Sequence, residues 1–186
     1  MRQLGRRGTI TILLVASMLS FGHVSSAVAQ PSSGKAEQSA KSETHCAAEA
    51  APINDPASQG NPVCFGTELE AEQYIQGLDP QNSSMRAAAA STILGTVYQD
   101  TNRNGSSLTL WGTNGCAGSV FGFSSLESGW NKSISSATGQ NGCWVTLYTA
   151  VNYGGATLNC TPYCASISTW NDNVKSLVFR PTGTFG

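Results

Sequence analysis

The sequence predicts an all-β fold in which one strand-rich motif occurs twice. From Cys143 the chain alternates apolar and polar residues, which is the pattern of a half-buried strand. Tyr148, Tyr153 and Gly155 then follow within eight positions. This spacing lets a folded hairpin pack one ring beside the other, with the glycine in a left-handed backbone conformation. A closing strand is predicted over residues 174–179.

The same pattern stands fifty residues upstream. Tyr98 and Gly105 match the first tyrosine and the glycine at that shift, whereas residues 130–136 match 170–176 at a shift of forty. The first copy therefore contains about ten additional residues, which we place within residues 111–123 because insertions in repeats fall in loops.

The two copies resemble the paired Greek-key motifs of the βγ-crystallin family over about residues 94 to 180. The resemblance implies an antiparallel sandwich of two Greek keys, and we assign residues 93–186 to this module and 81–92 to a linker before it. Arg103 stands where the family pattern has the second aromatic residue of the first copy.

Residues 1–29 are predicted to be a secretory signal peptide, with a basic start, a short apolar run and the small-residue cleavage site Ala27-Val28-Ala29. The apolar run is too short for a membrane span, so we expect a secreted protein. Residues 30–44 are rich in Ser, Lys, Glu and Ala and are predicted to be a disordered tail.

Six cysteines in an exported chain predict disulfide bonds rather than metal or redox sites. We expect one bond between Cys46 and Cys64, because both lie in the first half of the chain. Three pairings remain open for the four cysteines of the repeat region. These are Cys116, Cys143, Cys160 and Cys164.

Residues 45–80 predict a small bridged strand–helix element that resembles a pro-segment. Thr67 and Glu70 form a capping box at the start of a helix. The apolar stripe of this helix then comprises Ala71, Tyr74, Ile75 and Leu78. A helix this short is not stable alone and must dock on the rest of the chain.

The composition argues against an enzyme. His45 is the one histidine after the signal peptide, and no second histidine completes a Ser-His-Asp arrangement. The repeat region carries three acids, which no sequence feature places as a pair in a cleft. The net charge of −1 gives no reason to expect nucleic acid as a partner, and we expect a monomer.

In the βγ-crystallin family, the polar turn after the tryptophan supplies oxygen ligands to Ca²⁺, and each site is built from both copies. Lys132 and Lys175 stand at ligand positions of these turns and fall on one of the two sites. The resemblance therefore implies at most one weak calcium site, with Ser135 and Asp172 as ligands. The alternative is that both turns are Asx-type turns without a metal.

The resemblance extends to secreted bacterial metallopeptidase inhibitors with a crystallin fold. It implies a non-enzymatic binding protein whose partner is a secreted peptidase. The lengthened loop of the first copy is the candidate inhibitory segment, because function concentrates in loops longer than the scaffold requires. It comprises Gly112, Thr113, Asn114, Gly115, Cys116, Ala117 and Gly118.

Two other functions fit the same sequence. Crystallin modules of the killer-toxin type imply binding to the cell envelope or to cell-wall polysaccharide, through aromatic rings that stack on sugars. The candidate rings are Trp111, Phe121, Trp144 and Tyr163. A structural module that binds calcium weakly is the second alternative.

Overall fold

The computed structural model describes residues 42–78, 91–127 and 129–186. The predicted signal peptide, the predicted tail up to residue 41 and residues 81–90 of the predicted linker lie outside these ranges. The α-helix of the described part is α1 (Glu68–Gly77). The strands are β1 (His45–Glu49), β2 (Ala51–Pro52), β3 (Val63–Phe65), β4 (Ser91–Tyr98), β5 (Ser107–Thr113), β6 (Phe121–Phe123), β7 (Ser136–Gly139), β8 (Cys143–Tyr148), β9 (Thr157–Cys160), β10 (Tyr163–Cys164) and β11 (Ser176–Pro181).

The strands form two sheets that exchange one strand between the sequence copies. One sheet has the order β10-β7-β4-β5-β1-β3, and the other has the order β2-β6-β11-β8-β9. Each copy thus contributes its first, second and fourth strands to one sheet and its third strand, β6 or β10, to the other. This exchange confirms the predicted all-β, βγ-crystallin-like sandwich of two Greek keys.

The predicted hairpin of the second copy is present. The rings of Tyr148 and Tyr153 meet edge to face with centroids 6.0 Å apart, and Gly155 has a φ of 81°. In the first copy Arg103 adopts the same left-handed backbone as Tyr153, with φ values of 62° and 60°. The Arg103 guanidinium carbon instead lies 4.2 Å from the ring centroid of Tyr163 in β10. The backbone conformation of the hairpin is therefore the same in both copies, whereas the side-chain packing differs.

The N-terminal segment extends both sheets of the sandwich. β1 pairs in parallel with β5 and in antiparallel with β3, and β2 pairs in antiparallel with β6. The predicted disulfide-bridged N-terminal region is confirmed, since Cys46 of β1 is bonded to Cys64 of β3. Among the described residues, this segment therefore completes two sheets whose other strands come from the repeats.

Helix α1 docks on the outer face of the first sheet. The capping box is formed, because the Thr67 hydroxyl accepts a hydrogen bond from the Glu70 N–H and the Glu70 carboxylate accepts one from the Thr67 N–H. A small cluster of buried and partly buried residues lies beneath the helix. Its members are Ala47, Phe65, Ala71, Tyr74, Ile75, Ile93 and Trp111.

The main core lies between the two sheets. It is built from alternate residues of the paired strands, which point to the same face because the side-chain period of a strand is two. The largest of these buried side chains include Leu94, Leu108, Leu110, Phe123, Leu147, Leu177 and Phe179. β1 contributes Cys46 and Ala48 to this core, so the N-terminal segment is part of the packing and not an appendage.

Candidate functional site

The lengthened loop of the first copy begins later than predicted. Gly112 and Thr113 belong to β5, where they pair with Thr92 and Ser91 of β4. Gly112 is also buried, and a Cβ atom at this position would lie 2.8 Å from the ring of Phe121. Gly112 and Thr113 therefore belong to the strand, and the turn that follows it comprises residues 114–118.

Residues 114–118 form a turn that is held at its centre. Cys116 is fully buried in the main core and is bonded to Cys143 at the start of β8. Asn114, Gly115 and Gly118 have φ values of 64°, 65° and 76°. Asn114, Ala117 and Gly118 are exposed. The loop therefore presents small side chains and backbone groups on a cross-linked support.

A cleft of about 400 Å³ opens beside the hairpin of the first copy. Tyr98 and Arg103 line it from the hairpin, and the residues at the end of β7 and before β10 complete it. These residues are Thr138, Gly139, Gln140 and Pro162. Reasoning from the sequence missed this group, because Gln140 and Pro162 carry no motif. The one signal in the sequence was the departure from the repeat at Arg103.

A buried serine holds each hairpin closed. The Ser136 hydroxyl donates to the Asp100 carbonyl oxygen at 2.6 Å and accepts a hydrogen bond from the Arg103 N–H at 3.1 Å. Ser176 makes the same two bonds in the second copy, to Ala150 and from Tyr153. Arg103 and Tyr153 therefore occupy equivalent positions in the two copies.

The candidate sugar-stacking rings have different surroundings. Phe121 is buried in the main core, so it cannot stack on a sugar, and Trp111 is partly buried against the cluster beneath α1. Trp144 is half-buried, and its ring lies 5.3 Å from that of Phe185. Tyr163 remains 36% exposed, beneath the Arg103 guanidinium. Of these four rings, Tyr163 is the one that a ligand in the cleft region can approach.

The two turns implied in calcium binding lie side by side. The Asp172 N–H donates to the Ile134 carbonyl oxygen at 3.2 Å, and the Lys132 N–H donates to the Val174 carbonyl oxygen at 3.1 Å. These reciprocal bonds bring Asp172 next to the residue that precedes Ser135. The turns of both copies are thus adjacent, which is the arrangement that a shared site requires.

The side chains of these turns include few charged calcium ligands. The Ser135 hydroxyl donates to the Gln99 carbonyl oxygen at 2.6 Å, and the exposed Asp172 carboxylate accepts a bond from the Asn171 amide. Asp172 is the one carboxylate within the two six-residue turns. The described ranges contain no group of three or more His, Cys, Asp or Glu that could hold a metal ion. A single weak calcium site stays a prediction.

His45 lies where β1 pairs with β5. Its side chain is 12% exposed, and Nδ1 lies 2.8 Å from the Ser107 hydroxyl oxygen. Nε2 lies 3.9 Å from a carboxylate oxygen of Glu43. The order Ser-His-Glu has the form of a hydrolase triad, but Ser107 is fully buried and a substrate cannot reach its hydroxyl. The contact instead ties β1 to β5.

A tyrosine–carboxylate bond fastens α1 to the first repeat. The Tyr98 hydroxyl donates to a Glu68 carboxylate oxygen at 2.9 Å. Burial, and then the neighbouring Glu68, raise the pKa of Tyr98 above its ordinary value. The folded chain therefore holds the phenolic proton more tightly than the unfolded chain does.

We expect this bond to produce an alkaline loss of stability. The contribution of Tyr98 is complete below the unfolded pKa of about 10 and is lost as the pH rises above that value. Urea unfolding between pH 8 and 11 should show the free energy of unfolding falling above pH 10. In Tyr98→Phe it should be lower at pH 8 by about 1 kcal/mol and fall less steeply above pH 10. Equal alkaline slopes for parent and variant would contradict the assignment.

Within the described residues, no helix has the length and apolar character needed to cross a membrane. No family model matches the chain. No curated protein matches it either.

Several solved structures of βγ-crystallin domains are similar to part of the chain. A domain from Flavobacterium johnsoniae is 27% identical, with a TM-score of 0.35, and the match covers 50% of this chain and 99% of that domain. A domain from Clostridium beijerinckii is 21% identical, covers 47% of this chain and 97% of its own, and has a TM-score of 0.39. A βγ-crystallin from an archaeon is 23% identical, covers 48% of this chain and 98% of its own, and has a TM-score of 0.36. The assignment of the fold rests on the strand exchange between the two copies.

Proposed function

We propose that the protein is a secreted, non-enzymatic binding module that inhibits an extracellular peptidase through residues 114–118. The observation that carries the proposal is the bond between buried Cys116 and Cys143, which fixes an exposed loop to the second repeat. A loop that is ordered before binding loses little conformational entropy when it enters a cleft.

The chemistry of the loop favours recognition through the backbone. Its exposed side chains, Asn114, Ala117 and Gly118, carry no charge and little bulk. Residues 114–118 form a turn, and its small side chains leave the backbone N–H and C=O groups accessible to a partner. We therefore expect inhibition of a class of peptidases with modest side-chain specificity.

Three disulfides with no free cysteine support an oxidising, extracellular environment. The three bonds also suit a protein that must persist among peptidases. A bond such as Cys116–Cys143, which closes a loop of 27 residues, contributes about 3 kcal/mol by constraining the unfolded chain.

Inhibition of a thermolysin-type enzyme by the exported chain tests the proposal. Ala117→Trp places a large ring on the exposed loop and should weaken inhibition by at least about tenfold, because it blocks backbone bonds worth about 1 kcal/mol each. Leu69→Trp is the matched control, since Leu69 is 61% exposed on α1. It should leave inhibition unchanged.

Two results would contradict the proposal. Equal inhibition by the Ala117→Trp variant and the parent would show that residues 114–118 do not contact the enzyme. Failure of the folded parent to slow any metallo-, serine or cysteine peptidase would remove the inhibitor function itself. Circular dichroism and thermal unfolding of each variant establish that the loss of inhibition is not a loss of fold.

A further inference from the structure

The cleft beside Tyr98 occupies the place where the second copy has an aromatic ring. Arg103 and Tyr153 are equivalent, since both have left-handed backbones and both donate their N–H to a buried serine. In the second copy, the Tyr153 ring fills the space beside Tyr148. In the first copy, no such ring stands beside Tyr98 among the described residues, and the cleft of about 400 Å³ opens there.

The third strands show a compensating difference. Gly122 of β6 pairs with Val178, and Tyr163 of β10 pairs with Thr138 at the equivalent place. A Cβ atom on Gly122 would collide with the hydroxyl of Tyr153, so glycine is required where the hairpin carries the ring. In the first copy the ring belongs to Tyr163, and the hairpin carries a cation above it. The aromatic ring thus belongs to the hairpin in the second copy and to the third strand in the first copy.

This exchange leaves a positive charge at the edge of the cleft. Arg103 is exposed. Within the described residues the one salt bridge joins His45 and Glu43, so Arg103 forms none there. Stacking on Tyr163 fixes the plane of the guanidinium group and leaves its edge N–H donors for a ligand. A planar guanidinium matches a carboxylate with two parallel hydrogen bonds.

The other groups of the cleft are polar but uncharged, or apolar. Gln140 supplies an amide, Thr138 a hydroxyl, and Pro162 and Tyr98 supply apolar surface. Two acids lie nearby, and neither forms a salt bridge with Arg103. The Glu68 carboxylate accepts a hydrogen bond from the Tyr98 hydroxyl, and the Asp100 side chain lies against Gly105. The cleft therefore combines one cation with groups that can hydrogen-bond to sugar hydroxyls and with apolar surface on which a sugar ring can stack. Its volume is typical of small-ligand sites.

We infer that this cleft binds a uronic acid residue of an acidic polysaccharide. The carboxylate of the sugar pairs with the Arg103 guanidinium, its hydroxyl groups bond to Gln140 and Thr138, and its ring lies over Pro162. A phosphate fits less well, because its higher charge is usually met by several cations or backbone N–H groups, and the cleft offers one arginine. The site is separate from residues 114–118 and does not depend on peptidase inhibition.

Titration of the full exported chain with tetragalacturonate, followed calorimetrically, tests the inference. We expect saturable binding that weakens as salt is raised, and loss of binding when the probe is replaced by its methyl ester. Arg103→Ala should weaken binding by at least about tenfold, because it removes a charge-assisted pair. Lys132→Ala is the control, since it removes an exposed cation outside the cleft and should leave affinity within about twofold.

A second variant uses the internal repeat. Arg103→Tyr combined with Tyr163→Gly gives the first copy both residues of the second, and the new ring should fill the cleft beside Tyr98. We expect this variant to remain folded and to lose binding of tetragalacturonate. The inference is overturned if the folded Arg103→Tyr/Tyr163→Gly and Arg103→Ala variants bind as the parent does, or if the methyl ester binds equally well. It is also overturned if inorganic phosphate displaces the sugar, or if the parent shows no binding at millimolar probe.

Discussion

A chain that lacks residues 42–78 is expected not to fold. These residues contribute β1 to the edge of β5 and β2 to the edge of β6, so their loss leaves one strand in each sheet without its neighbour. Their loss also uncovers the main core where Cys46, Ala48 and Ala50 are buried, and it removes the cover that α1 gives to Trp111. Exposed strand edges and apolar surface favour aggregation.

The size of the effect follows from what the segment buries. Burial of one large aliphatic side chain such as Ile75 contributes about 1.5–3 kcal/mol, and the segment buries several smaller side chains in addition. We expect the free energy of unfolding to fall by more than about 5 kcal/mol, which is the entire stability of many small domains. Gel filtration and urea unfolding of residues 91–186 measure the outcome.

A nicked chain provides the control for this truncation. None of the three disulfides joins residues 42–78 to residues 91–186. A chain cut once between residues 79 and 90 keeps every strand pairing of the segment, and its two pieces should therefore elute together and separate in urea. A cooperative unfolding transition of residues 91–186 alone, at the midpoint of the parent, would contradict the structural role of the segment.

The repeats could be predicted from the sequence because their signals are local. The tyrosine–glycine spacing fixes a hairpin within eight residues, and the matched turns at residues 130–136 and 170–176 place the fourth strands. The parallel pairing of β1 with β5 could not be predicted in this way. β1 reads His-Cys-Ala-Ala-Glu and has three consecutive buried residues, so it lacks the alternation that identifies a half-buried strand.

For the candidate sites, too, the features with a local sequence signal could be predicted and those made by distant residues could not. The loop around Cys116 was identified from its length, but its start could not be placed, since Gly112 and Thr113 pair with residues of β4 about twenty positions away. The cleft at Arg103 depends on Gln140 and Pro162, which the strand exchange brings to the hairpin. No local pattern contains that contact. The sequence could only mark Arg103 as a departure from the repeat.

Replacing the buried serine of either hairpin is expected to cause the second large loss of stability. Ser136→Ala leaves the Asp100 carbonyl and the Arg103 N–H without their hydroxyl partner, and Ser176→Ala does the same to Ala150 and Tyr153. Each of these hydrogen bonds is partly buried and contributes about 0.5–1.5 kcal/mol. Because each serine makes two such bonds, we expect each variant to lower the free energy of unfolding by about 1–3 kcal/mol, measured in urea.

The two variants should differ in function although they are alike in stability. Ser136 holds the backbone of Arg103, so Ser136→Ala should weaken binding of tetragalacturonate, whereas Ser176→Ala acts on Tyr153 in the other hairpin and should leave it unchanged. Both variants should inhibit a peptidase as the parent does, because neither serine touches residues 114–118. A loss of less than about 0.5 kcal/mol in either variant would show that the serine does not hold its hairpin closed. Equal weakening of sugar binding in both would indicate a general loss of order and not a displaced Arg103.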